Sequence, residues 1–311
     1  MRSLNAAGHS GVGIHIKPGA LTDHQISITD HAAVADALKD CDAILHTATL
    51  HKPHVATHSK QDFVDTNILG TLALLELAVE HGIGTLIFTS TTSAFGDTLT
   101  PPPGAPAAWI DETAPARPKN IYGVTKTAAE DLCALFSRNH GLNVIVLRTS
   151  RFFPEEDDSP SARASFSDTN LKANEFLYPR ADLADVVSAH FAALDRAADL
   201  GFARFIISAT PPFDTADLGA LRSNAPAVVA RYFPQMPAIY AEQGFRMAQG
   251  LDRVYDNAGA RAQLGWTPTY DFARILEQLA AAEPIGSPLA WAVGSKGYHD
   301  RKFTDGPYPV A

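Results

Sequence analysis

The sequence predicts an α/β fold: a doubly wound parallel sheet followed by a smaller, mostly helical C-terminal domain. Three observations carry this. Short apolar runs near 12–16, 43–46, 85–91, 143–147 and 202–208 alternate with longer stretches of helical period, which is the pattern of βαβ units. Leu86, Ile87 and Phe88 give way to Thr89, Ser90, Thr91, Thr92 and Ser93, as in a buried parallel strand whose C-terminal end opens into a cleft. From Pro211 onward the chain is helix-like and punctuated by prolines, with segments at 214–222, 226–232 and 237–247.

The composition bounds the function. A chain of 311 residues, 46% of them hydrophobic, holds a large core, as one big α/β domain or one and a half. A net charge of −9 and a pI near 5.7 argue against nucleic acid or an anionic membrane as partner. There is no apolar run of about 18 residues and no basic-plus-apolar leader, so a cytoplasmic place without a membrane span is expected. Cys41 and Cys133 lack any Cys-x-x-Cys spacing and read as two reduced, buried thiols.

Taken in order, Met1 to Ala7 reads as the end of a helix closed by Gly8, and Val12 to Ile16 as the next strand. Gly8, Gly11 and Gly13 also invite reading as a phosphate-binding turn. No apolar strand precedes Gly8, however, and the acidic residue expected about 20 positions on is absent. Ile28 ends a further strand. Asp30 caps a helix of roughly ten residues with Val34 and Leu38 inward. Ala43 to His46 is a short buried strand that ends in Thr47, Ala48 and Thr49, small residues that let a ligand approach the backbone.

His46, His51, His54 and His58 follow closely. The spacing suits a metal, yet no carboxylate or cysteine completes a set, so no metal is expected and a substrate contact from His51 or His54 is preferred. A helix from Gln61 to His81 would bury Ile68, Leu72, Leu75 and Val79, with the polar Asn67 in the same stripe. The Pro- and Ala-rich stretch 97–120 is too long for an idle connection. It reads as a lid or wall packed down by Trp109, with a solvated linker as the alternative.

A helix preceded by Lys119 or Asn120 and running to about Arg138, and a strand from Asn143 to Leu147, come next. Arg148 to Pro154 leaves the carboxyl end of that strand, where such sheets bind ligands. Arg151 either holds a carboxylate or phosphate bidentately or pairs with Glu155, Glu156, Asp157 and Asp158. Residues 155–174 read as loop or short helix over the site. The helix at 181–194 has Asp182 or Asp185 near its start, and Phe202 to Ser208 is a strand. Trp266 reads as packing and Asp271 to Ala282 as a helix. The tail 285–311 would contact the site or a second subunit, which would make a homodimer.

The chemistry centres on Tyr122 and Lys126. Four residues apart on a helix, they share one face. A neighbouring ammonium stabilises a phenolate and lowers its pKa from about 10 towards neutrality, which makes Tyr122 a base. A hydroxyl near Thr91 would hydrogen-bond the oxygen on which the proton moves. The plain alternative is a surface i,i+4 pair.

Four segments in order, 42–50, 64–78, 88–97 followed by 120–126, and 261–268, resemble the extended short-chain dehydrogenase/reductase family, also called the NAD-dependent epimerase/dehydratase family. The resemblance implies a Rossmann-like dinucleotide-binding domain over 1–151 and 178–210, and a substrate-capping domain over 152–177 and 211–311. The family's hydroxyl residue, counted back from Gly96, falls on Thr91; its Tyr and Lys fall on Tyr122 and Lys126, and its Asn on Asn67. These four are the expected catalytic residues. The implied cofactor, NAD or NADP, would meet His15, Ile28, Thr47, Ala48, Thr49, Thr89, Tyr122, Lys126, Thr149 and Ser150. The small-molecule substrate would meet Thr91, Thr92, His51 and Arg151.

Three positions depart from the family's pattern. His15 stands where NAD-specific relatives carry a ribose-binding Asp, Ser27 where the family often has Asp, and Arg151 where it has Asn. In this register the family's first strand and glycine loop would lie upstream of Met1. Lys17 is a faint pointer to a 2′-phosphate.

The implied activity is hydride transfer at a carbinol or carbonyl carbon with a Tyr base, as an oxidoreductase or epimerase/dehydratase, with a nucleotide sugar among the substrates. Thr92 and Ser93 supply no carboxylate pair for dehydration. Two rival classes remain: a nucleotide-sensing module or truncated, inactive dehydrogenase, and a metal hydrolase built on His51, His54 and His58.

Overall fold

The computed structural model describes residues 1–295, 297–299, 303 and 306. The contact expected of the rest of the tail lies outside the described residues. The chain opens with helix α1 (Arg2–Ala6), strands β1 (Ile14–His15) and β2 (His24–Gln25), helix α2 (His31–Ala37) and strand β3 (Ala43–His46). Helix α3 (Lys60–Phe63), a π-helical segment (Val64–Leu69) and α4 (Gly70–Glu80) run continuously and precede β4 (Thr85–Thr91). Next come β5 (Ala108–Ile110), α5 (Ile121–His140), β6 (Asn143–Thr149), α6 (Pro160–Ser165), α7 (Asp168–Glu175), α8 (Leu183–Leu200) and β7 (Phe202–Ile207). The chain then forms α9 (Leu218–Tyr232), α10 (Met236–Gln243), β8 (Arg253–Tyr255), α11 (Ala258–Leu264), α12 (Phe272–Ala280) and α13 (Pro288–Val293).

Two compact units result, one of residues 1–90, 120–147 and 190–204, the other of 91–119, 148–189 and 205–311. These boundaries differ from the expected 151, 178 and 210. Compactness groups residues by packing, whereas the expected boundaries follow where the chain leaves and rejoins the sheet.

The first unit is organised by a sheet of order β3-β4-β6-β7. β3 and β4 pair in parallel, from Ala43 opposite Thr85 to His46 opposite Phe88. Asn143 N–H donates to the Gly84 carbonyl at 3.1 Å and Val144 N–H to Gly201 at 2.7 Å, so β4, β6 and β7 start side by side and run the same way. Parallel neighbours need long crossovers, and α5 and α8 supply them. Leu86, Phe88, Val144 and Val146 pack with Leu74, Leu75, Leu77 and Ala78 of α4 and with Ala129, Cys133 and Phe136 of α5. Each fully buried Leu, Val or Phe contributes roughly 1.5–3 kcal/mol.

Several local expectations are corrected. β1 covers 14–15 alone within the expected 12–16. β2 stops at Gln25, so Ile28 does not end a strand. It is a core residue, and its side chain lies where a Cβ on Gly70 would come within 2.6 Å of it. Asp30 does cap α2, accepting from Ala33 N–H at 3.2 Å, but the helix has 7 residues. Cys133 is buried while Cys41 is only half-buried.

The expected single helix 61–81 is interrupted. A π-helical turn takes up 64–69; beyond it Leu74, Leu75, Leu77 and Ala78 face the core, and Val79 is 39% exposed.

In the second unit, β5 pairs in parallel with β8, Ala108 to Ile110 opposite Arg253 to Tyr255. The stretch 97–120 is thus anchored by a strand and is not a solvated linker. Trp109 does hold it down, its Nε1–H donating to Asp256 at 3.3 Å. Leu221, Val228, Tyr240, Phe272, Ile275 and Leu276 form the core. α9 kinks at Asn224, just before Pro226, as a proline inside a helix requires. Trp266 is 3% exposed and donates to the Asp185 carbonyl and Ser188 hydroxyl at 3.2 and 3.0 Å, in keeping with packing. No helix among the described residues is long and apolar enough to cross a membrane.

Gly96 has φ +51°, and a Cβ there would stand 1.8 Å from the Arg117 carbonyl oxygen, the same oxygen that accepts from Asp97 N–H at 2.9 Å. Gly96→Ala therefore carries both strain and a backbone clash and is expected to cost about 2–4 kcal/mol. Gly82→Ala, at φ +70° in open space, is expected to cost about 1 kcal/mol. Urea titration of both variants checks the difference; equal losses would contradict it.

Candidate active site

Helix α5 carries the central pair. Asn120 sits in extended backbone and its side-chain oxygen accepts from Gly123 N–H at 3.0 Å, the arrangement of a good N-cap. Tyr122, Thr125, Lys126, Ala129, Glu130 and Cys133, spaced three and four apart, are all buried, while Val124 and Leu135 are exposed. Tyr122 and Lys126 thus face the interior, which rules out the surface-pair reading.

The Lys126 ammonium, 2% exposed, donates to the Thr89 carbonyl at 2.7 Å and lies 3.8 Å above the Phe88 ring. Burial disfavours the charged amine and brings its pKa down to about 7, against the opposing pull of Glu130. The Thr89 hydroxyl is engaged separately, 2.6 Å from His190 Nε2. Ser90, the next residue, donates to Glu130 Oε1 at 2.6 Å.

Asn67 sits in the π-helical turn, 1% exposed, and all four of its hydrogen-bonding sites are filled. Its oxygen accepts from Leu50 N–H at 2.8 Å and the Thr49 hydroxyl at 3.0 Å. Its amide donates to the Leu50 carbonyl and the Thr125 hydroxyl, each at 2.9 Å. One side chain thereby ties the loop after β3 to helix α5.

One turn on, Thr71 gives its hydroxyl proton to the Asn67 carbonyl at 2.7 Å. At 2.9 Å from His46 Nε2 it must then accept, which fixes His46 as the neutral Nε2–H tautomer. Burial, with Lys126 nearby, holds the His46 pKa down at about 3.

His51 lies with its ring centroid 6.4 Å from Tyr122, edge to face. His54 is 4.8 Å from His51 and 4.9 Å from His58, and His54 Nδ1 accepts from His51 N–H at 3.1 Å. Among the described residues no group of three or more His, Cys, Asp or Glu is placed to hold a metal ion.

The other expected positions are divided between the two units. His15 is exposed and its Nδ1 accepts from Lys17 N–H at 2.8 Å. Ile28 is core. Thr47 is exposed and Ala48 half-buried. In the second unit, Thr91 and Thr92 are 7% and 9% exposed, and the Thr91 hydroxyl accepts from Ser93 N–H at 3.0 Å. Thr149 is buried, and the buried Ser150 hydroxyl has no hydrogen-bond partner among the described residues. Arg151 is held by Asp157, by Asp158 at 3.3 Å and by Glu175 at 3.0 Å, and Glu175 also pairs with Arg180 at 2.6 Å. Arg151 is therefore in the ion-pair arrangement, with Glu175 as a partner that sequence reasoning missed.

Sequence reasoning also missed Glu130, Thr125, Thr71 and His190. Glu130 was within reach, because it follows Lys126 by one turn on the same face. His190 was not, because 101 residues separate it from Thr89.

A family model described as the NAD dependent epimerase/dehydratase family matches residues 1–201. The dTDP-glucose 4,6-dehydratase of Streptomyces niveus is 36% identical over 128 residues, 41% of this chain and 36% of that protein. A uronate dehydrogenase of Pseudomonas putida is 27% identical over 128 residues, 41% of this chain and 44% of that protein. The chain thus spans less than half the length of these curated relatives. A short-chain dehydrogenase/reductase superfamily protein from Agrobacterium tumefaciens, crystallised with bound NAD, superposes with a TM-score of 0.64 at 21% identity, over 90% of this chain and 92% of that one. That likeness is one of fold.

Asn67→Leu leaves the Leu50 backbone groups and the Thr125 hydroxyl without this partner and is expected to cost about 2–4 kcal/mol in urea titration; a loss below about 0.5 kcal/mol would contradict the hub. For His46 the sign follows from its lowered pKa. The folded state stays neutral down to pH 3 while the unfolded state takes a proton near 6.5, so stability falls as pH drops through that window. His46→Leu is expected to flatten the fall, seen as a smaller change in urea midpoint between pH 6.5 and 4.

Proposed function

Because the chain belongs to the NAD dependent epimerase/dehydratase family, we propose that it is an NAD(P)-dependent oxidoreductase or epimerase/dehydratase. Its substrate would be a small molecule oxidised or reduced at a carbinol or carbonyl carbon, with a nucleotide sugar as the leading class. The observation that carries this is the buried face of α5, where Tyr122 and Lys126 lie one turn apart and Lys126 is bonded to the strand floor at Thr89.

The residues present fit the nicotinamide end of a dinucleotide better than its pyrophosphate end. Lys126 offers a ribose a charged donor, and the small residues Ala48 and Thr49 line a loop that Asn67 fixes. At the other end, a Cβ on Gly11 would meet Met1 at 3.0 Å and one on Gly13 the Leu21 carbonyl at 2.1 Å. Those glycines are packed by the chain itself and form no cradle. The dinucleotide, when bound, supplies the hydride acceptor or donor. Tyr122 takes or returns the proton at the substrate oxygen, Lys126 stabilises the phenolate, and Thr91 orients that oxygen. His51, edge-on to Tyr122, and Thr92 are assigned to the substrate. Arg151 would receive an anionic group only by exchanging one of its three carboxylates. The buried Ser150 hydroxyl and Thr149 are assigned to ligand contacts, as is Thr89. We assign 1–151 with 178–210 to dinucleotide binding and 152–177 with 211–311 to substrate capping.

A second reading, a nucleotide-sensing module without turnover, is favoured by the packed glycines. Titrating NADH and NADPH against tryptophan fluorescence separates the two, with Tyr122→Phe alongside. The enzyme reading expects micromolar binding by both versions and a rate at least 10²-fold lower in Tyr122→Phe. Binding without turnover in either would favour the sensor, and no binding would count against both.

A further inference from the structure

Lys126 is a buried cation, and the groups around it decide how it stays charged. On its own helix it faces Glu130 and Cys133. From β3 comes His46, while Arg204 of β7 acts on Cys133; the β4 residues against it, Phe88, Thr89 and Ser90, do not titrate, nor do Asn67 and Thr71. Beyond Thr89, His190 engages its hydroxyl. His46 is neutral. Cys133, its thiol pushed up to about 12 by burial, is neutral too. Arg204 has the same sign as Lys126. Glu130 is left as the carboxylate that opposes the ammonium.

Glu130 is itself fully buried and held at both oxygens. Oε1 accepts from Ser90 at 2.6 Å, and Oε2 is 3.2 Å from Arg204 Nε. Arg204 also reaches Asp131 at 3.1 Å. The consecutive residues Thr89 and Ser90 are thus bonded by Lys126 and Glu130, one helical turn apart.

We propose that Glu130 is a positioning residue, which keeps Lys126 in its charged form and, through Ser90, pins the strand residue next to the one that Lys126 holds. The catalytic consequence rests on the function proposed above: Lys126 can stabilise a Tyr122 phenolate only while it is an ammonium. The electrostatic part stands without any ligand.

The test follows Lys126 by NMR of lysine labelled at Cε and Nζ, in the full chain without cofactor, with its signal assigned by loss in Lys126→Met. Glu130→Gln keeps an oxygen for Ser90 and removes the charge. It is expected to lower the Lys126 midpoint by about one pH unit, and Glu130→Asp to return it part of the way. In the active protein the alkaline limb of the pH–rate profile is expected to move the same way. A structural role alone would alter stability and leave that limb in place. Should Glu130→Gln not fold, Glu130→Asp carries the test alone: its carboxylate is one methylene shorter, and it is expected to lower the midpoint by a smaller amount. A midpoint that stays within about 0.2 pH unit of the parent in every folded variant overturns the proposal. A midpoint that moves in a chain that binds neither NADH nor NADPH upholds it and counts against the enzyme reading instead.

Discussion

The first unit is arranged around one costly requirement, an ammonium without water. The net lowering of the Lys126 pKa from 10.5 to about 7 corresponds to roughly 5 kcal/mol against the charged form, with the pull of Glu130 already included. The Thr89 carbonyl accepts a hydrogen bond from the ammonium, the Phe88 ring lies beneath it, and a cation over an aromatic face gains roughly 1–2 kcal/mol when desolvated. Ser90 donates to Glu130, and the Arg204 guanidinium pairs with it by charge, so the loss of one member leaves a buried need of another unmet.

The second constraint is the loop after β3. Its backbone at Leu50 has no strand partner, and Asn67 supplies both halves of the missing pairing. Asn67 lies between the buried Phe63 and Leu74 on this helix, inside its π-helical turn, a feature that often accompanies functional sites; from there its amide reaches both the loop at Leu50 and the Thr125 hydroxyl.

Charge is handled differently in the second unit. Arg151, Arg180, Asp157, Asp158 and Glu175 neutralise one another in a half-buried cluster, so part of the acidic run 155–158 is a structural element. Asp185 is similar. It accepts from the Thr269 and Tyr270 N–H groups at 2.7 and 2.9 Å, with its carboxyl raised to about 6 by burial, and so ties α8 to the chain beyond Trp266.

The sequence by itself determined the alternation of strands and helices, the cap at Asp30 and the shared face of Tyr122 and Lys126. All of these rest on spacing or on the chemistry of one residue with near neighbours in the chain. Only the tertiary structure decided that Asn120 caps α5, that Lys126 and Glu130 are buried together, that Asn67 sits in a π-helical turn, that Val79 faces out, and that β5 pairs with β8. The last four outcomes depend on partners 17 to 147 residues away, whose approach no local pattern encodes. The split over Arg151 shows the same limit: the acidic run made an ion pair conceivable, but the third carboxylate, Glu175, arrives from α7 by folding.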